Sequence, residues 1–164
     1  MGMVWVVRAA SDDDVVSLRA DPESIYDFVN PEDLSPDYQI LDLDKQWHAV
    51  HFLLTGSAGP VDSPLSFILG TYEEVGPDHG YGPAWFIPSE AIRAFHSALA
   101  KHSDEEWARR YDASTAVAEQ VYLAETLADE GEEALTFLQS DIAGLRSFVR
   151  KAVEAGNHAF ALIT

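Results

Sequence analysis

The chain has 164 residues, no cysteine, 28 acidic against 10 basic side chains, and a formal net charge of -18 at pH 7. Without cysteine there is no disulfide, no thiolate nucleophile and no zinc-thiolate centre. A field this negative disfavours direct binding to nucleic acid or anionic lipid and attracts basic partners, while the length suits one domain over residues 1–164 that buries roughly two thirds of its unfolded surface.

The charge is uneven, with 15 acidic against 3 basic residues in positions 1–78 and 13 against 7 in positions 79–164. No run of about 18 apolar residues offers a membrane span. The opening MGMVWVVRAASDDD lacks a basic leader, so the expected setting is the cytoplasm.

In chain order, Val4 to Val7 reads as a short buried strand. Ser11 and Asp14 have the spacing of a capping box and open a helix, with Asp12 and Asp13 at the positive end of its dipole. Asp21-Pro22 restarts a helix carrying Ile25, Tyr26, Phe28 and Val29, which Asn30-Pro31 stops. Residues 31–40 are a loop.

The next stretch, Leu41 to Gly56, reads as a helix apolar on most sides, which belongs in a core. Asp44 is expected as its N-cap and Gly56 as its left-handed end. At 100° per residue, Asp44, His48, His51 and Thr55 fall within about 60° of one another as a polar seam.

Ser57 to Pro64 is a linker. Leu65 to Leu69 is read as a helical turn, and Thr71 to Val75 as extended chain. Three glycines and two prolines in Gly76 to Pro83 demand a constrained turn. Ala84 to Ile87 is a strand, and Pro88-Ser89 leads a helix to about Lys101 with Ile92, Phe95, Ala98 and Leu99 on one side. Ser103 with Glu106 caps a helix ending near Tyr111, and Asp112 caps another through Tyr122. The acidic residues 125–133 are read as a loop or frayed helix. From Ala134 to Ala155 the spacing of Leu135, Leu138, Ile142, Leu145, Phe148, Val149 and Val153 makes the longest amphipathic helix, with Arg146, Arg150 and Lys151 placed toward its negative end. His158 to Ile163 closes the chain as a strand paired in one sheet with Val4 to Val7. Strands and helices do not alternate regularly, so the expected fold is α+β: a small, mainly antiparallel or mixed sheet with several helices around a buried central helix at about 44–56.

Four stretches together resemble the YfbM-like family of small bacterial proteins: the opening MGM with Ala10-Ser11, LDLDKQWHAVHFLLTG at Leu41 to Gly56, PLSFILG at Pro64 to Gly70, and GYGPAWFIP at Gly80 to Pro88. The resemblance spans essentially the whole chain and departs at Pro88-Ser89, where Thr-Pro is usual. It implies a compact α+β fold and a bacterial cytoplasm. It implies no activity, because the family is a domain of unknown function.

For chemistry, His48 and His51 with Asp44 one turn earlier have the spacing of a facial metal set. HxxH is weaker than HExxH, Asp44 is claimed as a cap, and no later cluster supplies a further ligand, so no metal and no cofactor is expected. Histidines hydrogen-bonded to neighbouring loops answer the seam better, since a buried polar group left unpaired costs about 1 to 3 kcal/mol. GYGP lacks the spacing, lysine and hydroxyl of a phosphate loop, and no GxSxG occurs; no catalytic residue is assigned. The GYGP turn is expected to pack over the seam, with Tyr81 or its backbone bonded to His48 or His51.

The leading functional expectation is therefore a non-catalytic acidic protein that covers a basic protein partner. The alternative is a small-molecule or metal binder, or an enzyme, using Asp44, His48, His51 and Tyr81.

Overall fold

The computed structural model describes residues 2–164; Met1, the first residue of the MGM opening, lies outside them. Strands β1 (Trp5–Ala10), β2 (Ile40–Asp42), β3 (Glu73–Val75), β4 (Ala84–Ile87) and β5 (His158–Ile163) form one antiparallel sheet in the order β2-β1-β5-β4-β3. β1 and β5 pair along their whole length, from Trp5 opposite Ile163 to Ala10 opposite His158. The two ends of the chain thus form the middle of the sheet, each satisfying backbone groups the other leaves open.

Alternation along β1 decides what covers each face. Trp5, Val7 and Ala9 join the larger core with α3 (Trp47–Thr55), α4 (Ser89–Leu99) and α8 (Glu132–Ala155), while Val6 and Ala10 join a smaller one with α1 (Asp12–Ala20) and α2 (Ile25–Val29). In α3, Val50 is 0% exposed and Leu53 and Leu54 are each 4% exposed, so this helix is central to the larger core. The α+β expectation holds. Three short helices, α5 (Asp104–Ala108), α6 (Ala113–Ala118) and α7 (Ala124–Glu130), complete the α-helices of the described residues.

Local signals held where they were self-contained. Ser11 Oγ accepts from Asp14 N–H at 3.2 Å while Asp14 Oδ2 accepts from Ser11 N–H at 2.8 Å, and Ser103 with Glu106 repeats the arrangement. Gly56 and Gly156 end α3 and α8 in the left-handed region.

Other boundaries moved. Ile40 to Asp42 is not helix: its register against Val6 to Arg8 makes it an edge strand, and α3 begins only at Trp47 after a 3-10 turn over Asp44–Gln46. Asp44 is not the cap. It sits at φ 47°, with its amide held by Asp42 Oδ1 at 2.6 Å. Leu65 to Leu69 forms no helix, only isolated turns at Leu65 and at Ile68 and Leu69, and Phe67 and Ile68 drop into the core. α6 stops at Ala118, because Gln120 and Leu123 take φ of 58° and 59°. The acidic 125–133 stretch is mostly helical, and Gly131 at φ 58° breaks it from α8.

Arg146 acts through tertiary contacts nine residues before the helix end. Its Nε donates to Asp104 Oδ1 at 2.7 Å, Nη1 to Leu99 O at 3.2 Å and Nη2 to His102 O at 2.8 Å. One guanidinium therefore covers the open carbonyl end of α4 and fixes the start of α5. Arg146→Ala should lower stability by about 1.5 to 3 kcal/mol, read from the urea midpoint. Arg146→Lys should recover only part of it, since an ammonium cannot reproduce the fork; full recovery would mean that charge alone matters.

Candidate functional site

The polar seam of α3 is the first place to look for chemistry, and its geometry fixes the state of both imidazoles. His48 Nδ1 accepts the N–H of Tyr122 at 3.0 Å, so Nε2 carries the proton and donates to Ala58 O at 2.7 Å. The ring stacks on Trp47 with centroids 4.9 Å apart. His51 is fully buried, and its Nε2 lies 2.9 Å from Gly59 O, which only a protonated nitrogen satisfies. Its lone pair is on Nδ1, buried without a partner. Burial is the largest influence on His51 and pulls its pKa down, outweighing the Gly59 carbonyl, so it is held neutral.

These contacts explain why polar residues sit on a core helix. Thr55 Oγ1 donates within hydrogen-bond range of His51 O at 2.9 Å and Ser57 O at 3.1 Å, and with the two rings it straps residues 57–59 to α3. The Tyr122 amide taken by His48 lies between the left-handed Gln120 and Leu123, conformations that side chains resist. Trp47 Nε1 donates to Met3 O at 3.1 Å, and Met3 N–H donates to Tyr122 Oη at 3.3 Å, which closes the cluster. The seam is a brace. A metal at His48 would displace the Tyr122 amide, and at His51 it would have to enter the core. Among the described residues no group of three His, Asp or Glu is placed to hold a metal.

Tyr81 is not part of this cluster. It lies on the β3–β4 hairpin turn, 46% exposed, where Asp78 Oδ1 accepts from Gly80 N–H at 2.7 Å and Gly82 N–H at 3.0 Å. Those two amides hold the Asp78 carboxyl below its ordinary range. Gly76, Gly80 and Gly82 all have positive φ, and a Cβ on Gly76 would come within 2.9 Å of Pro22 O. The ring of His79 meets that of Tyr26 at 4.9 Å, so the turn packs on α2, in the layer across the sheet from α3. The expected GYGP cover over the seam is therefore replaced by Ala58, Gly59 and Tyr122. A turn that closes a sheet-edge hairpin follows its strands, not the nearest unpaired imidazole.

Asp44 faces a group that sequence reading missed. Asp141, on α8, has its Oδ2 buried without a hydrogen-bond partner, and its pKa is pushed up to about 7, first by burial and then by the charge of Asp44. The available signal was an acid beside Leu138, Ile142 and Leu145 on the apolar stripe of α8.

A serine, a histidine and an aspartate also converge elsewhere. His158 Nδ1 accepts from the backbone N–H of Ser89 at 3.0 Å and Nε2 donates to Asp12 Oδ1 at 3.0 Å, while Ser89 Oγ accepts from Arg93 at 3.3 Å. The hydroxyl has no base, so this set supplies the missing cap at the start of α4, where Pro88 offers none. A cavity of about 520 Å³ is lined by residues around Pro60–Pro64 and by Ser66, Thr71 and Tyr72. Two of its lining hydroxyls are already engaged: Ser66 Oγ donates to Leu69 O at 3.0 Å and Tyr72 Oη to Phe67 O at 3.1 Å.

Comparison with known proteins gives a family and a fold. The family described as "Domain of unknown function (DUF1877)" matches residues 1–162. A solved structure described as a protein of unknown function, YfbM, from Escherichia coli is similar at 21% identity and a TM-score of 0.73, over 98% of this chain and 99% of that one. The curated proteins contain no match.

Proposed function

From the premise that the chain belongs to the DUF1877 family of unknown function, we propose that it is a non-catalytic acidic protein of the bacterial cytoplasm that binds a basic protein. The observation that carries this is the disposition of charge. Of nine acids between Asp12 and Asp37, seven (Asp13, Asp21, Glu23, Asp27, Glu32, Asp33 and Asp37) have carboxylates free of hydrogen bonds and ion pairs among the described residues, in a chain of net charge -18. Both ring nitrogens of His48 and Nε2 of His51 are engaged in bracing loops, and His51 Nδ1 is shut inside the core. Unpaired carboxylates around a negative molecule favour and steer a cationic partner. They repel nucleic acid and anionic membrane.

Immobilised protein should retain a basic protein from lysate at low salt and release it as ionic strength rises toward 1 M, where the screening length falls to about 3 Å. Retention insensitive to salt would contradict the reading. So would a metal or small molecule that copurifies with the wild type and is lost in His48→Ala; that result would establish the alternative at the His48 and His51 seam of α3.

A further inference from the structure

Between α2 and β2, residues 30–39 form a loop pinned at several points. Tyr38 N–H donates to Ser35 O at 3.0 Å, Ala9 N–H to Gln39 O at 2.9 Å, and Gln39 Nε2 to Phe148 O at 2.6 Å. The loop carries an aromatic and cationic stack. Arg8 Cζ lies 4.0 Å from the centroid of Phe28 and 3.7 Å from that of Tyr38, so both rings lie against the guanidinium. Arg8 Nη1 also donates to Phe28 O at 2.8 Å, which fixes the cation in place.

The stack is open at one end. Tyr38 has its inner face on Arg8 and is still 40% exposed, and Leu34 beside it in the loop is 77% exposed. A tyrosine ring is negative over its face and attracts a second cation there. Glu32, Asp33 and Asp37, all exposed, surround it in sequence, with none of their carboxylates bonded among the described residues. Lys151 is the cation in the lining of the 200 Å³ crevice that Tyr38 borders. Arginine fits this platform better than lysine, because its planar, weakly hydrated head stacks on a ring and pairs with a carboxylate at once.

We propose that the outer face of Tyr38, with Leu34, Asp33 and Asp37, docks an arginine of the basic partner, continuing the alternation Phe28–Arg8–Tyr38 by one more cation. This rests on the basic-partner reading above and adds to it the place and the residue type. The order already present in the loop lowers the cost of binding there.

The probe is a capped tetra-arginine peptide titrated into the full chain at low salt, followed by amide and arginine side-chain chemical shifts. Shift changes should concentrate at residues 32–39 and at Arg8. Tyr38→Leu, which keeps an apolar cover on Arg8, should weaken binding about threefold, and Asp33→Asn with Asp37→Asn about fivefold. Leu34→Ser, at a site too exposed to affect folding, should weaken a leucine-containing variant of the peptide but not tetra-arginine itself. Glu132→Gln with Glu133→Gln on α8 removes as much charge and should change affinity less than twofold. Equal loss in the α8 variant, or shift changes spread evenly over the surface, would overturn the docking site while leaving a basic partner in place. No salt-sensitive binding to wild type would overturn both.

Discussion

Phe95→Ala should destabilise the protein by about 3 to 5 kcal/mol, the range for emptying a core phenylalanine site. Phe95 is fully buried on α4 and stacks on Phe67 with centroids 4.4 Å apart and planes 4° from parallel, and Phe67 in turn meets Trp5 of β1 at 6.2 Å. These three rings tie β1, the PLSFILG segment and α4 into one block. The segment has no regular structure of its own, so its position depends on Phe67 being gripped from both sides. Removing Phe95 opens a void and also releases that grip. Phe95→Leu, which keeps most of the volume, should cost about 1.5 kcal/mol or less. A urea midpoint for the alanine variant within about 1 kcal/mol of wild type would show that the stack is dispensable.

The contrast between what the chain announced and what it hid follows the range of the interactions involved. Ser11 with Asp14, Ala84 to Ile87, His158 to Ile163 and Gly156 are read correctly because each signal lies within four to six residues. The resemblance carried by LDLDKQWHAVHFLLTG and GYGPAWFIP reached the family, and the apolar circumference of α3 placed that helix in the core. Leu41 was misread because the apolar spacing before Trp47 fits a helix as well as a strand, and only pairing with β1 decides between them. The partners of His48 and His51 were also beyond reach. That imidazoles on a buried helix need partners follows from burial, but which loop supplies them depends on where 57–59 and 120–123 cross the helix. The glycines of GYGP pointed to close backbone approach. A Cβ on Gly80 or Gly82 would meet nothing within 4 Å; the close approach is at Gly76, against the Pro22 carbonyl just before α2.

Asp141 should make the protein lose stability as pH rises from about 4 to about 7. Its side chain is largely withdrawn from solvent, Oδ2 has no hydrogen-bond donor, and Asp44 faces it with the same charge. Burial and the charge of Asp44 both act in the same direction, and Arg146, five residues further along α8, is committed to Asp104. Burial raises the pKa to about 7, so between that value and an ordinary aspartate's roughly 3.9 the folded state keeps a proton that the unfolded state gives up. The folded state binds more protons in this window, and stability therefore falls with rising pH until the folded group ionises. The full gap corresponds to about 4 kcal/mol; screening through the partly open side reduces the expected loss to about 2 to 3 kcal/mol. His51 acts in the opposite sense, because its depressed pKa contributes stability above about 6.5 that is lost on acidification, so the raw pH profile mixes the two. The difference between Asp141→Leu and wild type isolates the carboxyl. It should be small and flat below pH 4, grow in favour of the variant between pH 4 and 7, and level off above, while Asp44→Asn, by relieving the second cause, should make the rise level off at a lower pH and a smaller height. A difference curve that is flat from pH 4 to 8 would mean that Asp141 ionises freely in the folded protein.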